Sequence, residues 1–400
     1  MTSIDNRPEA NRAAAWKISA IVLAAGYSSR MAAFKPLLAV GDRTALERTI
    51  QTLRGAGLDD VCVVLGHRAE ELQPLAERAG ARWVLNPRFG QGMFSSIRAG
   101  AGVLPVDAHA AFVMPADIPL VRPATVRHLM RAYASAKNVV IYPAFNGRRG
   151  HPTLLSRAVW NEVRLADPGV TLATVLSAHQ ARSATVFVPD EAIHWDMDTP
   201  EEFSRLCERA AGRNLPSLAE CEALLAHYQH DPRIVRHSRL VSAVAFQVAQ
   251  RLAQAGVVID PRLVRVAALL HDIAKGEDDH AAVGARLLRG FGFAALSDAV
   301  AVHTDLAYAN VLNEAAIIFL ADKLVRGDAV VGIEQRFRHW LERFGDDPYA
   351  RAETLRRRAS AEAIARDVKE RLGVTLEQIV AAVPSDAARL NTEKNVVEPR

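Results

Sequence analysis

IVLAAGYSSRMAAFKP, residues 21–36, is the stretch on which the reading of this chain turns. The β-forming residues from Ile18 to Leu23 end in a small-residue loop at Gly26, and Arg30 and Lys35 follow within ten positions. A strand that runs through a glycine loop toward a helix predicts a phosphate cradle. Backbone N–H groups face the anion and the basic side chains add full charge. Glycine at position 26 is expected because a Cβ would obstruct the turn. The spacing GxxxxGK[ST] occurs nowhere, which disfavours an ATPase motor or kinase of the phosphate-loop type.

A chain of 400 residues exceeds one ordinary core, so two domains are expected. Half of the residues are hydrophobic and 24% are charged, a globular composition. No segment approaches the ~20 apolar residues of a membrane span, and the first 17 residues lack the apolar region of a signal peptide. Cys62, Cys207 and Cys221 are scattered without a CxxC pair, which suits a reducing, cytoplasmic setting. A net charge of +4, with no basic run interleaved with aromatics, gives no reason to expect nucleic acid or a membrane as partner.

From position 18 to about 210, ISAIVLA, DVCVVLG, ARWVLN, AAFVMPAD, NVVIYPA and SATVFVP read as strands separated by helical patterns at about 44–57, 69–80, 94–103 and 123–135. That alternation predicts an α/β, Rossmann-like sheet with ligands beyond the carboxyl ends of its strands. After Thr199 the strand signal disappears, and an all-α domain is expected. The boundaries expected are a disordered tail over 1–17, the α/β domain over 18–211, the helical domain over 212–385 and a second tail over 386–400.

Four further segments support the first site. NPRFGQGMFSSIRAG, 86–100, sets glycines and serines before a helix start. MPADIP, 114–119, puts Asp117 at a strand end, where a carboxylate suits Mg²⁺. GRRGHP spans 147–152, and DMDTPEE, 196–202, offers Asp196 and Asp198, the latter either a metal ligand or a helix cap. In this order the motifs resemble the MobA-like nucleotidyltransferases, which attach CMP or GMP to the phosphate of molybdopterin. The resemblance implies that Leu23, Ala24, Ala25, Gly26, Asn86, Gly92 and Ser96 bind nucleotide, and that Arg30 and Lys35 grip its phosphates. It further implies that Asp117 and Asp198 hold Mg²⁺ and that His151 borders the acceptor pocket. Ala24, Ala25 and the Lys35–Pro36 pair are similar to the cytidylyl branch, so CTP is the expected donor. DPGVTLA, 167–173, departs from the GDxGAR-like segment of that branch and leaves the acceptor open.

In the helical half, His237, His271, Asp272, His280, His303 and Asp322 have metal-ligand chemistry, and LLHDIAK sits late in an apolar helix, where a buried charge needs a partner or a metal. Their order resembles the HD phosphohydrolase superfamily, and HDIAK, HxxxGAxLL, HT and LADK are similar to the diadenosine tetraphosphate hydrolases of the YqeK type. The resemblance implies one or two divalent ions, Fe, Mn or similar. His237, His271, Asp272 and Asp322 would hold the first, with His280 and His303 completing a second. Lys275 is a candidate phosphate contact.

The sequence thus leads to a bifunctional enzyme: an Mg²⁺-dependent cytidylyltransferase using CTP and a molybdopterin-type acceptor, followed by a phosphohydrolase. A molybdoenzyme apoprotein is a further candidate partner. The alternatives are a sugar-phosphate or other small-acceptor nucleotidyltransferase, or a nucleotide-sensing maturation factor whose HD domain is inactive.

Overall fold

The computed structural model describes residues 16–28, 31, 33–135, 138–344 and 346–383. Arg30 and the tail over 386–400 lie outside them. The chain divides into two compact units between Arg213 and Asn214. Among the described residues no helix is long and apolar enough to cross a membrane.

The first unit is built on a mixed sheet with the order β10-β7-β9-β6-β1-β4-β5. Its strands are β1 (Ile18–Leu23), β4 (Asp60–Leu65), β5 (Arg82–Leu85), β6 (Ala110–Pro115), β7 (Val140–Phe145), β9 (Thr153–Ser156) and β10 (Ser183–Phe187). All six strands expected from the sequence form. A small hairpin of β2 (Ala39–Val40) and β3 (Arg43–Thr44) lies off this sheet, and β8 (Arg148–Arg149) pairs with β7. The sequence reading did not include β9, which pairs antiparallel with both β6 and β7 and so breaks the parallel array. Its four residues, TLLS, are too few to show an alternation.

The central strand β1 is buried along almost its whole length because it has a parallel neighbour on each side and helices over its faces. Helices α1 (Ala45–Gly55), α2 (Ala69–Arg78), α3 (Met93–Gly102), α4 (Pro123–Ser135), α5 (Arg157–Leu165) and α6 (Leu172–Ser177) form the crossovers. On one face Ile21, Val64, Ile97, Val113 and Trp160 share a core cluster. Complete burial of an aliphatic or aromatic side chain of this kind contributes ~1.5–3 kcal/mol. Trp160 also satisfies its indole by donating to Ala111 O at 3.0 Å. At Gly100, within α3, a Cβ would come 2.6 Å from Ile21 Cγ2, so glycine lets this helix lie close on β1.

Residues 1–15 of the expected tail lie outside the described residues, and its last two are described. Trp16 packs edge-on against His109 and Tyr133, and Lys17 N donates to His109 Nδ1 at 3.2 Å. One indole with two aromatic neighbours is enough to order these residues.

After α7 (Pro200–Ala210), the second unit consists of α8 (Leu218–Tyr228), α9 (Pro232–Gln254), α10 (Pro261–Leu270), α11 (His280–Gly290), α12 (Ala294–Ala301), α13 (Glu314–Lys323), α14 (Ile333–Phe344), α15 (Pro348–Leu372) and α16 (Leu376–Val380). A minimal antiparallel hairpin, β11 (Val325–Arg326) with β12 (Ala329–Val330), interrupts the all-helical expectation. The apolar helix expected to carry LLHDIAK stops at Leu270. His271 stands at its C-cap, and Ile273 N and Lys275 N bond back only three residues, to Leu270 O and Asp272 O. The chain then turns at Gly276, whose φ of 111° is open to glycine.

Candidate functional site

In the first unit, Leu23 and the loop after it are fastened to the ends of two neighbouring strands. Ala24 N donates to Val64 O at 3.0 Å, His67 N to Ala25 O at 3.1 Å and Ala116 N to Leu23 O at 3.0 Å. These ties hold residues 23–26 and Asp117 at one edge of the sheet, beyond its carboxyl ends. Ser28, at φ 57°, turns the chain, and its Oγ accepts from Lys35 N at 3.1 Å. This bond sets the start of the short 3₁₀ turn Lys35–Leu37.

A cavity of about 360 Å³ opens here, lined among the described residues by Leu23, Ala24, Ala25, Gly26, Lys35, Gly92, Ser96, Asp117 and Asp198 among others. The reason for Gly26 differs from the one expected. Its φ is not in the left-handed region and a Cβ would meet no atom within 4 Å, so glycine here leaves the cavity wall open and does not enable the turn. The glycine that the backbone does require is Gly92, at φ 94° before α3.

The charged centre of the cavity is Lys35. Its Nζ lies 3.2 Å from Asp117 Oδ2 and also bonds Asp198 Oδ1. Burial opposes a charged ammonium, yet the Asp198 and Asp117 carboxylates outweigh it and raise the Lys35 pKa above the ordinary lysine value. Asp198 is not the cap of α7. Thr199 takes that position in a reciprocal capping box with Glu202, which leaves the Asp198 carboxylate to face Lys35. Asp196 keeps an exposed face, and partial desolvation of its carboxyl together with the neighbouring Asp198 and Glu202 carboxylates raises its pKa. Two carboxylates against one cation, on the wall of this cavity, form an oxygen donor set that fits Mg²⁺.

Asn86 and His151 are not on the cavity wall. The Asn86 amide is buried and joins Ser95 Oγ and Ser96 Oγ at 2.9 and 3.0 Å, so it braces the start of α3. His151 Nδ1 is buried and, among the described residues, has no hydrogen-bond partner; burial lowers the His151 pKa against the opposing charge of Asp117. The sequence reading missed Tyr27, Phe89 and Met93, which line the same cavity. Tyr27 and Phe89 pack with ring centroids 5.2 Å apart. Their signal was present, since aromatic and sulfur side chains flank the glycines of both loops, but nothing local said that the two loops meet.

In the second unit, Asp272 is the shared element. Its Oδ1 lies 3.1 Å from His280 Nε2 and 3.3 Å from His303 Nε2, while Oδ2 is 3.5 Å from His271 Nε2. Asp322 Oδ1 is 3.0 Å from His237 Nε2 and 3.7 Å from His271 Nε2. Two groups, His237–His271–Asp272 and Asp272–His280–His303, gather their donor atoms closely enough to hold a metal ion each. All six residues singled out in the sequence are therefore neighbours.

The tautomers are set from behind. Carbonyls of Ala268 and Val300 accept from Nδ1 of His271 and His303, each at 2.7 Å, and Gly327 O lies 3.1 Å from His237 Nδ1. This directs Nε2 of each ring inward, as metal-ligating histidines require. His271 Nε2 is buried and, among the described residues, has no hydrogen-bond partner, although two carboxylates stand nearby. A cation between them would complete it, so the nitrogen and oxygen donors fit a divalent ion such as Fe or Mn. Burial works against the Asp272 carboxylate, but His271, His280, His303 and Lys275 hold its pKa well below the ordinary range; Asp322 is held low against the same opposition by Lys323, His237 and His271.

Lys275 Nζ stands 3.2 Å from Asp272 Oδ1 and 3.3 Å from His280 Nε2, with its side chain partly exposed. Lys323, missed in the sequence as a separate participant, is buried and donates to Asp322 Oδ2 at 2.6 Å and to His303 O at 3.3 Å.

Comparison with known proteins bears on both units. Residues 20–186 match the MobA-like NTP transferase domain and residues 234–327 the HD domain. The chain is 28% identical over 196 residues to the molybdenum cofactor cytidylyltransferase of Escherichia coli strain K12, covering 48% of this chain and 96% of that protein. It is 33% identical over 167 residues to the phosphoenolpyruvate guanylyltransferase of Rubrobacter xylanophilus, covering 40% of this chain and 77% of that one. The crystal structure of Rv0371c from Mycobacterium tuberculosis H37Rv is similar at 26% identity and a TM-score of 0.43, over 48% of this chain and 98% of that one. The chain belongs to the MobA-like NTP transferase family and carries an HD domain behind its transferase domain.

Proposed function

We propose that the chain is a bifunctional cytoplasmic enzyme, whose first domain transfers CMP from CTP to the phosphate of a molybdopterin-type acceptor and whose HD domain is a metal-dependent phosphohydrolase. The observation that carries the first part is the meeting of Lys35, Asp117 and Asp198 at the glycine-loop cavity.

The nucleoside triphosphate lies along Leu23 to Gly26 with its phosphates toward Lys35. An acceptor phosphate oxygen attacks the α-phosphorus, forming a new P–O bond, and the bond to the β-phosphate oxygen breaks to release pyrophosphate. Lys35 neutralises the charge that builds on the phosphates, and the fixed loop holds donor and acceptor in line. Asp117 and Asp198 would hold Mg²⁺, which supplies further charge neutralisation when bound. CTP is favoured by the Ala24–Ala25 loop and by the cytidylyltransferase relative. Transfer to another small acceptor is the second reading, supported by the likeness to a guanylyltransferase of different acceptor chemistry.

In the HD domain, His237, His271, Asp272 and Asp322 would hold one ion, and His280 and His303 a second beside it, with Asp272 between them. Such ions supply an activated hydroxide and stabilise the oxygens at phosphorus.

The test incubates the purified chain with each nucleoside triphosphate and molybdopterin while pyrophosphate release is followed. Release with CTP and molybdopterin is expected. Release with glucose 1-phosphate in place of molybdopterin would transfer the assignment to the second reading.

A further inference from the structure

Among the described residues that line the cavity of the first unit, Tyr27 and Met93 are large apolar side chains left in the open, 57% and 66% exposed. The Tyr27 ring is nevertheless held in place. It packs on Phe89 and His67 with centroids 5.2 and 5.1 Å away, and His67 in turn meets Phe34 edge-on at 5.6 Å. Phe34 is buried and immediately precedes Lys35, so the ring cluster is rooted in the loop that carries the ammonium. Gly66 makes this meeting of loops possible, because a Cβ there would come 2.8 Å from both Ala25 O and Phe89 Cβ.

The cavity wall is therefore divided. Lys35, Asp117 and Asp198 supply charge just beyond β6, whereas Tyr27, with Phe89 and Met93, supplies aromatic and thioether surface on the side of β4 and β5. Such a division suits a ligand that is itself divided, a flat ring tethered to phosphates. Phenol and thioether groups both pack favourably on an aromatic ring. Tyr27 also follows Gly26 directly and so continues the loop along which the donor lies.

We infer that Tyr27 is a base-binding residue, whose ring packs against the nucleobase of the triphosphate donor with Met93 beside it. This placement deepens the nucleotidyl-transfer reading above and rests on it. Ring packing accepts any planar base, so Tyr27 contributes affinity for the donor and leaves the choice among bases to other groups.

The experiment titrates the full chain by calorimetry, with Mg²⁺, against two ligands. One is α,β-methylene-CTP, which cannot release pyrophosphate; the other is tripolyphosphate, which keeps the phosphates and has no base. Lys35→Met identifies the binding event that belongs to this cavity, and melting curves check that each variant is folded. Tyr27→Ala is expected to weaken the CTP analogue about tenfold or more and to leave tripolyphosphate unchanged, while Tyr27→Phe keeps the parent affinity for both. Met93→Ala should act in the same direction as Tyr27→Ala. Equal affinity for the analogue in Tyr27→Ala, or a loss for tripolyphosphate as large as for the analogue, would overturn the assignment. If the parent binds tripolyphosphate in a Lys35-dependent event and gains nothing from the base, the phosphate site stands and the role of Tyr27 falls. If neither ligand gives such an event, the nucleotidyl-transfer reading falls with it.

Discussion

Lys35 Nζ sits 3.2 Å from Asp117 Oδ2, across a cavity edge that brings together residues 82 positions apart in the chain. One ammonium therefore balances a carboxylate at the place where a triphosphate and a divalent ion would be held. Asp117→Ala is expected to lower nucleotidyl transfer by about 10³-fold or more, since a preorganised charge in a transition-state site is worth several kcal/mol. Asp117 is partly exposed and lies in a loop, so the circular dichroism spectrum and melting curve should stay close to those of the parent. Near-normal turnover with Mg²⁺ and CTP would remove Asp117 from the chemistry.

Metal analysis addresses the second domain directly. The purified full chain should hold one or two tightly bound transition-metal ions, and the double variant His271→Ala, Asp272→Ala should lose them. Asp272 belongs to both donor groups, and His271 supplies a buried nitrogen that has no hydrogen-bond partner among the described residues. Unchanged ion content in the double variant would exclude this cluster as the binding site.

Asp190 is a structural counterpart to these sites. It is buried and accepts from Arg122 N at 2.8 Å and Thr125 Oγ1 at 2.6 Å, and it pairs with Arg122 and Arg213. Asp190→Asn should destabilise the first domain by about 3–5 kcal/mol in urea unfolding, because two guanidinium groups lose their counter-charge. Burial opposes ionisation of Asp190, but Arg213 and Arg122 outweigh it and depress its pKa. A depressed carboxylate contributes its stability above the unfolded pKa and loses it as pH falls through the folded one. The gap between parent and variant should therefore be full at neutral pH and shrink below the ordinary aspartate range, in acid. A gap that is constant from pH 7 to pH 3 would count against the ion pairs as its source.

Thiol labelling separates the three cysteines. Cys62 and Cys221 are buried and Cys207 is partly exposed. Burial pushes the Cys62 thiol up to about 11, so little thiolate is present at pH 8. In the native chain a disulfide reagent should modify Cys207 first, with Cys62 and Cys221 reacting at the rate of unfolding. Because the Cys62 pKa is raised in the folded state, the stability it contributes is present below its unfolded value and lost as pH climbs toward 11. Fast native labelling of Cys62 would contradict its burial on β4.

The sequence alone determined what is local or chemically rare. The run from Ile18 to Leu23 closes on a glycine loop, and Asp117 falls just past a strand, because strand patterning and loop residues are written in consecutive positions. His271 and Asp272 stood out because ionisable groups beside an apolar helix need compensation wherever the chain folds. Tertiary structure decided what depends on partners far along the chain. It inserted β9 antiparallel between β6 and β7, and it brought Asp198 to Lys35 across 163 positions. It also centred both groups of ligand atoms on one carboxylate, Asp272. Strand register and ion pairing are set by which surfaces meet during packing, and no consecutive stretch of residues encodes that meeting.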